Sequence, residues 1–179
     1  MPRRDLEGPA AALGIGMRQG LLAAFAEVNA KGGVKGRRLE LVARDDGYEP
    51  TKSIEAVKAL IAEGVFALVG PVGTPTSMAT HPLAAQAGVP FIGPFTGAEG
   101  LRNPYKAHIV NVRASYFQET EEMVERLTKD LKIERIAILF QDDAFGRAGL
   151  AGARRAMDKR GMKLVAEAAF ERNTIAVKR

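Results

Sequence analysis

Two acidic pairs are the first residues in this sequence whose types and spacing suggest chemistry. Asp45-Asp46 and Asp142-Asp143 each come just after an apolar run, where neighbouring carboxylates can serve as general acid and base or hold Mg²⁺. Loop solvation and helix capping account for the same pairs without any reaction. No partner group accompanies them: His81 and His108 have no acidic or histidine neighbour at metal-ligand spacing, and no Gly-x-Ser-x-Gly elbow occurs. The chain has no cysteine, which excludes disulfides, thiolate metal sites and a cysteine nucleophile together. In Gly14-Ile15-Gly16-Met17-Arg18-Gln19-Gly20 the third glycine comes one residue late for a dinucleotide loop, and no Gly-Lys-Ser/Thr phosphate loop is present. We therefore expect no catalytic residue, no metal and no cofactor.

Three loops carry more information, because open parallel sheets bind ligands beyond the carboxyl ends of their strands. Gly70-Pro71-Val72-Gly73-Thr74-Pro75-Thr76 precedes a helix, so its hydroxyls and the helix's free N–H groups suit a carboxylate; helix capping by Thr74 or Thr76 is the alternative. Gly93-Pro94-Phe95-Thr96-Gly97 offers backbone carbonyls, a hydroxyl and an aromatic wall, or is an ordinary turn. Gln141-Asp142-Asp143-Ala144-Phe145-Gly146 faces the other two across a cleft if two lobes oppose each other, with Phe145 equally suited to a core.

These loops need elements to hold them. Leu21, Phe25 and Val28 recur at helical spacing from Met17 until Lys31-Gly32-Gly33. Leu39-Glu40-Leu41-Val42 alternates like a strand, and Pro50 suits the first turn of a helix bearing Ile54, Val57, Leu60 and Ile61. Val65–Val69 reads as a buried parallel strand, residues 76–87 as a helix and Val89–Ile92 as the next strand. After an extended segment at His108–Val112, the pattern predicts a helix through Val124, Leu127 and Leu131, a strand at Ile136–Phe140, a helix through Leu150, Ala153 and Met157, and a strand at Lys163–Val165. Such alternation predicts an α/β fold with a doubly wound parallel sheet, residues 1–113 forming a first lobe and 114–179 the beginning of a second.

Hydrophobic residues make up 46% and charged residues 26% of the 179, values that fit a folded domain with a real core. Arg154, Arg155, Lys159, Arg160 and Lys163 cluster at helical spacing without interleaved aromatics, so they read as a solvated helix face and no nucleic-acid partner is expected. No apolar run reaches membrane-spanning length and none follows the basic start Met1-Pro2-Arg3-Arg4-Asp5; we expect no direct membrane insertion and read no export leader in these residues.

Taken together, the segments resemble the branched-chain amino acid (Leu/Ile/Val) binding proteins of ABC transporters, the type I periplasmic solute-binding proteins. Gly8–Gly14 is similar to the family's first ligand loop, and Val28-Asn29-Ala30-Lys31-Gly32-Gly33-Val34-Lys35-Gly36-Arg37 to its helix-to-strand signature. Asp45-Asp46 with Pro50, Gly70-Pro71 with its Thr loop, Gly88-Val89-Pro90, and Arg135–Leu139 with Phe145-Gly146 follow in the family's order. The resemblance implies two α/β lobes that close over a small ligand by hinge motion, no enzymatic chemistry, a periplasmic location and a membrane permease as partner. It also implies that a first strand preceding Gly8 and the rest of the second lobe lie outside these residues.

Carried over by position, Leu13 packs on the ligand, Thr74 beside Pro75 holds its α-carboxylate, the Phe95 carbonyl meets its α-ammonium and Phe145 closes the cleft. The family's hydroxyl two residues beyond that carbonyl is Gly97 here, with Thr96 one place early. The implied ligand is a branched-chain or aromatic amino acid or a related small carboxylate. A ligand-sensing domain of a receptor or regulator uses the same fold.

Overall fold

The computed structural model describes residues 10–172, residue 174 and residues 177–178. Helix α1 runs Ala11–Ala30 and α2 Pro50–Ala62, the latter opened by its proline, whose fixed φ and missing N–H suit a first turn. There follow β1 (Leu68–Val69), α3 (Thr74–Gln86), β2 (Phe91–Ile92), a 3₁₀ turn (Glu99–Leu101) and β3 (Ile109–Val110). Helix α4 (Tyr116–Glu125) continues into a π turn (Arg126–Asp130), then come β4 (Ala137–Gln141), α5 (Ala144–Asp158), β5 (Ala166–Phe170) and β6 (Val177–Lys178).

The described strands form two sheets. β1, β2 and β3 are parallel neighbours in chain order, with Leu68 beside Phe91 and Phe91 beside Ile109. β4 and β5 pair in parallel from Ala137–Ala166 to Gln141–Phe170, and β6 returns antiparallel on β5. This is the expected α/β architecture, with one antiparallel edge. The first sheet's core joins Val57 of α2, Ala84 of α3 and the strand residues Leu68, Phe91 and Ile109; the second gathers Val124, Ala156 and Met157 under Ile136 and Leu164. Burying Phe91 or Met157, both at 0% exposure, contributes about 1.5–3 kcal/mol each.

Two strand expectations need correction. Leu39–Val42 joins no ladder among the described residues; instead the Asn29 side chain donates to the Leu39 carbonyl (2.8 Å) and accepts its N–H (2.7 Å), doing for one residue what a partner strand does for a run. The strand placed at Lys163–Val165 begins three residues later, at Ala166, because Leu164 is an anchor beneath α4 and α5. The apolar signal marked the anchor, and the Ala-rich strand behind it carried little β propensity of its own.

Between Leu39–Asp46 and Val65–Val72 lies a cavity of about 1060 Å³, lined on one side by Met17, Leu21 and Phe25 of α1. No helix among the described residues is long and apolar enough to cross a membrane. Four residues of the basic cluster have local partners: Arg154 binds Glu167 (2.8 Å), Lys159 and Arg160 share Glu121 (2.8 Å each), and Arg155 lies over the Phe117 ring.

His81 on α3 and His108 before β3 stack with ring centroids 5.5 Å apart, and the buried His81 Nδ1 and His108 Nε2 have no hydrogen-bond partner among the described residues. Burial first, then His108 and Lys106, pull the His81 pKa below its ordinary value. The unfolded chain therefore binds the more protons below about pH 6.5, and stability falls as pH drops through that value toward the folded pKa. Urea titrations at pH 7.5 and 5.5 are expected to show this loss. His81→Gln should flatten it, and an unchanged slope in that variant would mean that another group is responsible.

Candidate ligand-binding site

The loops after β1 and β2 are zipped together beyond their strands. Val72 bridges Phe95, with the Phe95 N–H donating to the Pro71 carbonyl at 2.8 Å and the Gly73 N–H to the Phe95 carbonyl at 3.3 Å. This places the start of α3 beside Thr96. Thr74 is the first helical residue and Pro75 the second, so neither can cap, and the hydroxyl of Thr76 donates back to the Val72 and Gly73 carbonyls. The Thr74 and Thr76 N–H groups thus lack intrahelical acceptors at the positive end of the helix dipole.

The Thr74 and Thr96 hydroxyls lie 2.6 Å apart, and the Tyr116 hydroxyl completes a triangle at 3.4 and 3.2 Å from them. Thr74 and Thr96 are 2% and 0% exposed and Tyr116 8%. Tyr116 opens α4, whose Ser115 makes a capping box with Gln118, and its N–H donates to the Gly97 carbonyl at 2.7 Å. A side chain at position 97 would put its Cβ 2.6 Å from Tyr116 Cδ1 and 2.8 Å from Tyr116 N, so only glycine lets the phenol reach the threonines.

Aromatic groups flank this triangle. Phe145, in the first turn of α5, meets the Tyr116 ring edge-on at 5.6 Å, and the Arg113 guanidinium lies 5.4 Å from the Phe95 ring centre and 5.6 Å from that of Tyr116. Arg113 is ion-paired with Glu119. Phe95 and Phe145 both keep about two-fifths of their surface exposed. Arg102 knits the floor by donating to the carbonyls of Ala98 (3.0 Å) and Arg113 (2.9 Å) and, at longer range, Thr96 and Ala114.

Thr74, Pro75, Phe95, Thr96, Gly97 and Phe145 thus come together, the last through Tyr116. Leu13 stands elsewhere: it is half exposed in the first turn of α1 and takes no part in these contacts. Of the Gly8–Gly14 loop read around it, Gly8 and Pro9 lie outside the described residues, and Ala11–Gly14 form the first turn of α1 instead of a loop. Tyr116, Arg113 and Arg102 are not marked out by the sequence reading. The available sign was the Ser115-x-x-Gln118 capping signature, which marks a helix start but not what that helix faces.

The acidic pairs make local contacts at turns and at a helix start. Asp45 and Asp46 accept the Gly47 and Tyr48 N–H groups, Asp46 also takes the Ser53 hydroxyl, and Asp143 caps α5 through the Phe145 and Gly146 N–H groups. Asp142 pairs with Arg147 at 2.6 Å. A second contact between the two sheets' loops runs through Tyr48, which hydrogen-bonds Gln141 and lies under the Arg172 guanidinium, itself 2.8 Å from Glu49. Burial, and then the Asp143 charge, push the Tyr48 pKa up to about 12.

The sequence profile described as periplasmic binding protein matches residues 4–178. The chain is 30% identical over 151 residues to the Leu/Ile/Val-binding protein BraC3 of Rhizobium johnstonii, covering 84% of this chain and 41% of that protein. Its backbone is similar to that of a possible leucine/isoleucine/valine-binding protein from Rhodopirellula baltica, with a TM-score of 0.87 and 40% identity over 94% of this chain and 47% of that one. A substrate-binding periplasmic protein from Ralstonia solanacearum gives a TM-score of 0.88 at 30% identity, covering 94% and 48%. The chain spans less than half the length of these relatives.

Proposed function

Because the chain belongs to the periplasmic binding protein family, we propose that it forms part of the solute-binding component of an ABC transporter, holding a branched-chain or aromatic amino acid or related small carboxylate between two lobes. In this reading residues 1–113 belong to the first lobe and 114–179 begin the second. The component works in the periplasm, hands its solute to a membrane permease, and does no chemistry on it.

The observation that carries the proposal is the convergence of the Thr74, Thr96 and Tyr116 hydroxyls at the N-terminus of α3. Hydroxyl and N–H donors on a helix dipole suit a carboxylate, and the exposed Phe95 and Phe145 faces suit an apolar tail. Each hydrogen bond to such a charged group contributes about 1.5–3 kcal/mol. Thermal unfolding of the purified chain against a panel of small carboxylates and matched amides is the test. We expect carboxylates to raise the midpoint in proportion to the logarithm of concentration and amides to leave it in place. Equal effects of acids and amides, or none from either, would overturn the proposal.

A further inference from the structure

Tyr48 lies two residues before α2 in a conformation few bulky residues adopt. Its φ of 61° is left-handed, a region where a Cβ crowds the backbone and which usually falls to glycine, asparagine or aspartate. The Asp46 carboxylate accepts its N–H at 2.9 Å and holds the turn. The ring comes to rest on Gly73, the residue before α3: a Cβ at 73 would strike Tyr48 Cε2 and lie 3.0 Å from its Cδ2. A strained residue kept beside a glycine that makes room for its ring points to a role outside the turn itself.

Tyr48 also meets the second sheet. It hydrogen-bonds the side chain of Gln141, the last residue of β4, and the guanidinium of Arg172, two residues past β5, lies 5.8 Å from its ring centre. Arg172 in turn binds Glu49, the neighbour of Tyr48, at 2.8 Å. Gln141 passes the contact on: its amide donates to Asp143 at 2.6 Å, and Asp143 caps α5 through the Phe145 and Gly146 N–H groups. Direct contacts thus run from Gly73, next to Thr74, to Phe145.

We infer that Tyr48, with Glu49 and Arg172, forms a clasp between the two sheets' loops, and that Tyr48 is a positioning residue for the ligand. It sets the span from the start of α3, which holds the carboxylate, to Phe145, which covers the apolar tail. The ligand part of this inference rests on the carboxylate-binding reading above. Tyr48 acts through the walls it joins and not by touching the solute. A solute that bridges both walls binds more tightly when their separation is fixed beforehand, because ordering them is no longer a cost of binding. One that touches α3 alone gains nothing from the clasp.

The test uses the whole chain and the double variant Tyr48→Phe/Arg172→Gln, which removes the hydroxyl and the charge but keeps a ring against Gly73. The sequence has no cysteine, so Ala59→Cys on α2 and Ala151→Cys on α5, both exposed, take a pair of spin labels in either background. Without ligand, pulsed electron resonance is expected to give a narrow distance distribution in the parent and a broadened or split one in the variant, with the far-ultraviolet circular dichroism spectrum unchanged. 4-Methylpentanoate should bind the variant about tenfold more weakly, while acetate, which has no tail to meet Phe145, should bind both alike. Tyr48→Phe alone, the gentler change, should move both readouts in the same direction. The same distance distribution in parent and variants would overturn the clasp. Acetate weakened as much as 4-methylpentanoate would overturn the positioning role, since Tyr48 would then act on α3 alone. No binding of either acid by the parent would overturn the carboxylate reading and the ligand role of Tyr48 with it.

Discussion

Replacing Gly146 by alanine is expected to cost about 3 kcal/mol of stability and, at this chain length, roughly 10 °C of melting temperature. The Asp143 carboxylate pins the first turn of α5 by accepting the Phe145 and Gly146 N–H groups, so the helix start has little freedom to move. A Cβ at 146 would strike the Gln141 carbonyl and come within 2.6 Å of its nitrogen and 2.7 Å of its carbonyl carbon. That obstacle is the backbone of β4, which cannot rotate aside as a side chain can. Relief requires α5 to shift away from β4, and Phe145 then leaves the Tyr116 edge. On the same helix, a methyl group at Gly149 would meet nothing within 4 Å, and Gly149→Ala should be neutral or stabilising by about 0.5–1 kcal/mol. Denaturant unfolding of the two variants side by side checks the contrast. Equal stability would show that α5 and β4 are not packed this closely.

Thr74→Val is expected to weaken carboxylate binding by about 10- to 100-fold, the equivalent of losing one hydrogen bond of about 1.5–3 kcal/mol to a charged acceptor. Valine matches the shape of threonine, and the Thr96 hydroxyl keeps Tyr116 and the Ala98 N–H at 3.1 Å as partners, so the pocket wall stays in place. Titration calorimetry of the variant with 4-methylpentanoate gives the measurement. Affinity within twofold of the parent would mean that the carboxylate is held elsewhere.

The parts of the fold that were legible in sequence are those in which one residue's chemistry dictates local geometry. Pro50 marks the start of α2, and the apolar runs around Leu68, Phe91 and Ile138 locate strands whose neighbours in the sheet follow chain order. Legibility failed where a partner decides the outcome. Leu39–Val42 has the alternation of a strand, yet a strand exists only by its ladder, and among the described residues Asn29 supplies the pairing, at Leu39 alone.

The site divides in the same way. Thr74, Phe95, Thr96 and Phe145 stand at strand ends and helix starts, where open parallel sheets place ligand contacts. Tyr116 lies beyond the stretch that reads as a lobe boundary. Only the fold shows that the absent side chain of Gly97 admits its ring, and no spacing rule links positions 97 and 116. Arg102 escaped notice for a related reason: as a lone arginine in a polar stretch it resembles surface, and its role appears only when the carbonyls it receives are brought round it.

A ¹⁵N-edited NMR titration of the chain with 4-methylpentanoate probes the carboxylate site without intermediaries. The Thr74 and Thr76 amide signals are expected to move most, because their N–H groups stand in the first turn of α3 without intrahelical acceptors, and Thr74→Val should reduce both shifts at a given concentration. Shifts centred on the cavity beside Leu41 and Val65, with Thr74 and Thr76 unmoved, would contradict a carboxylate held at the start of α3.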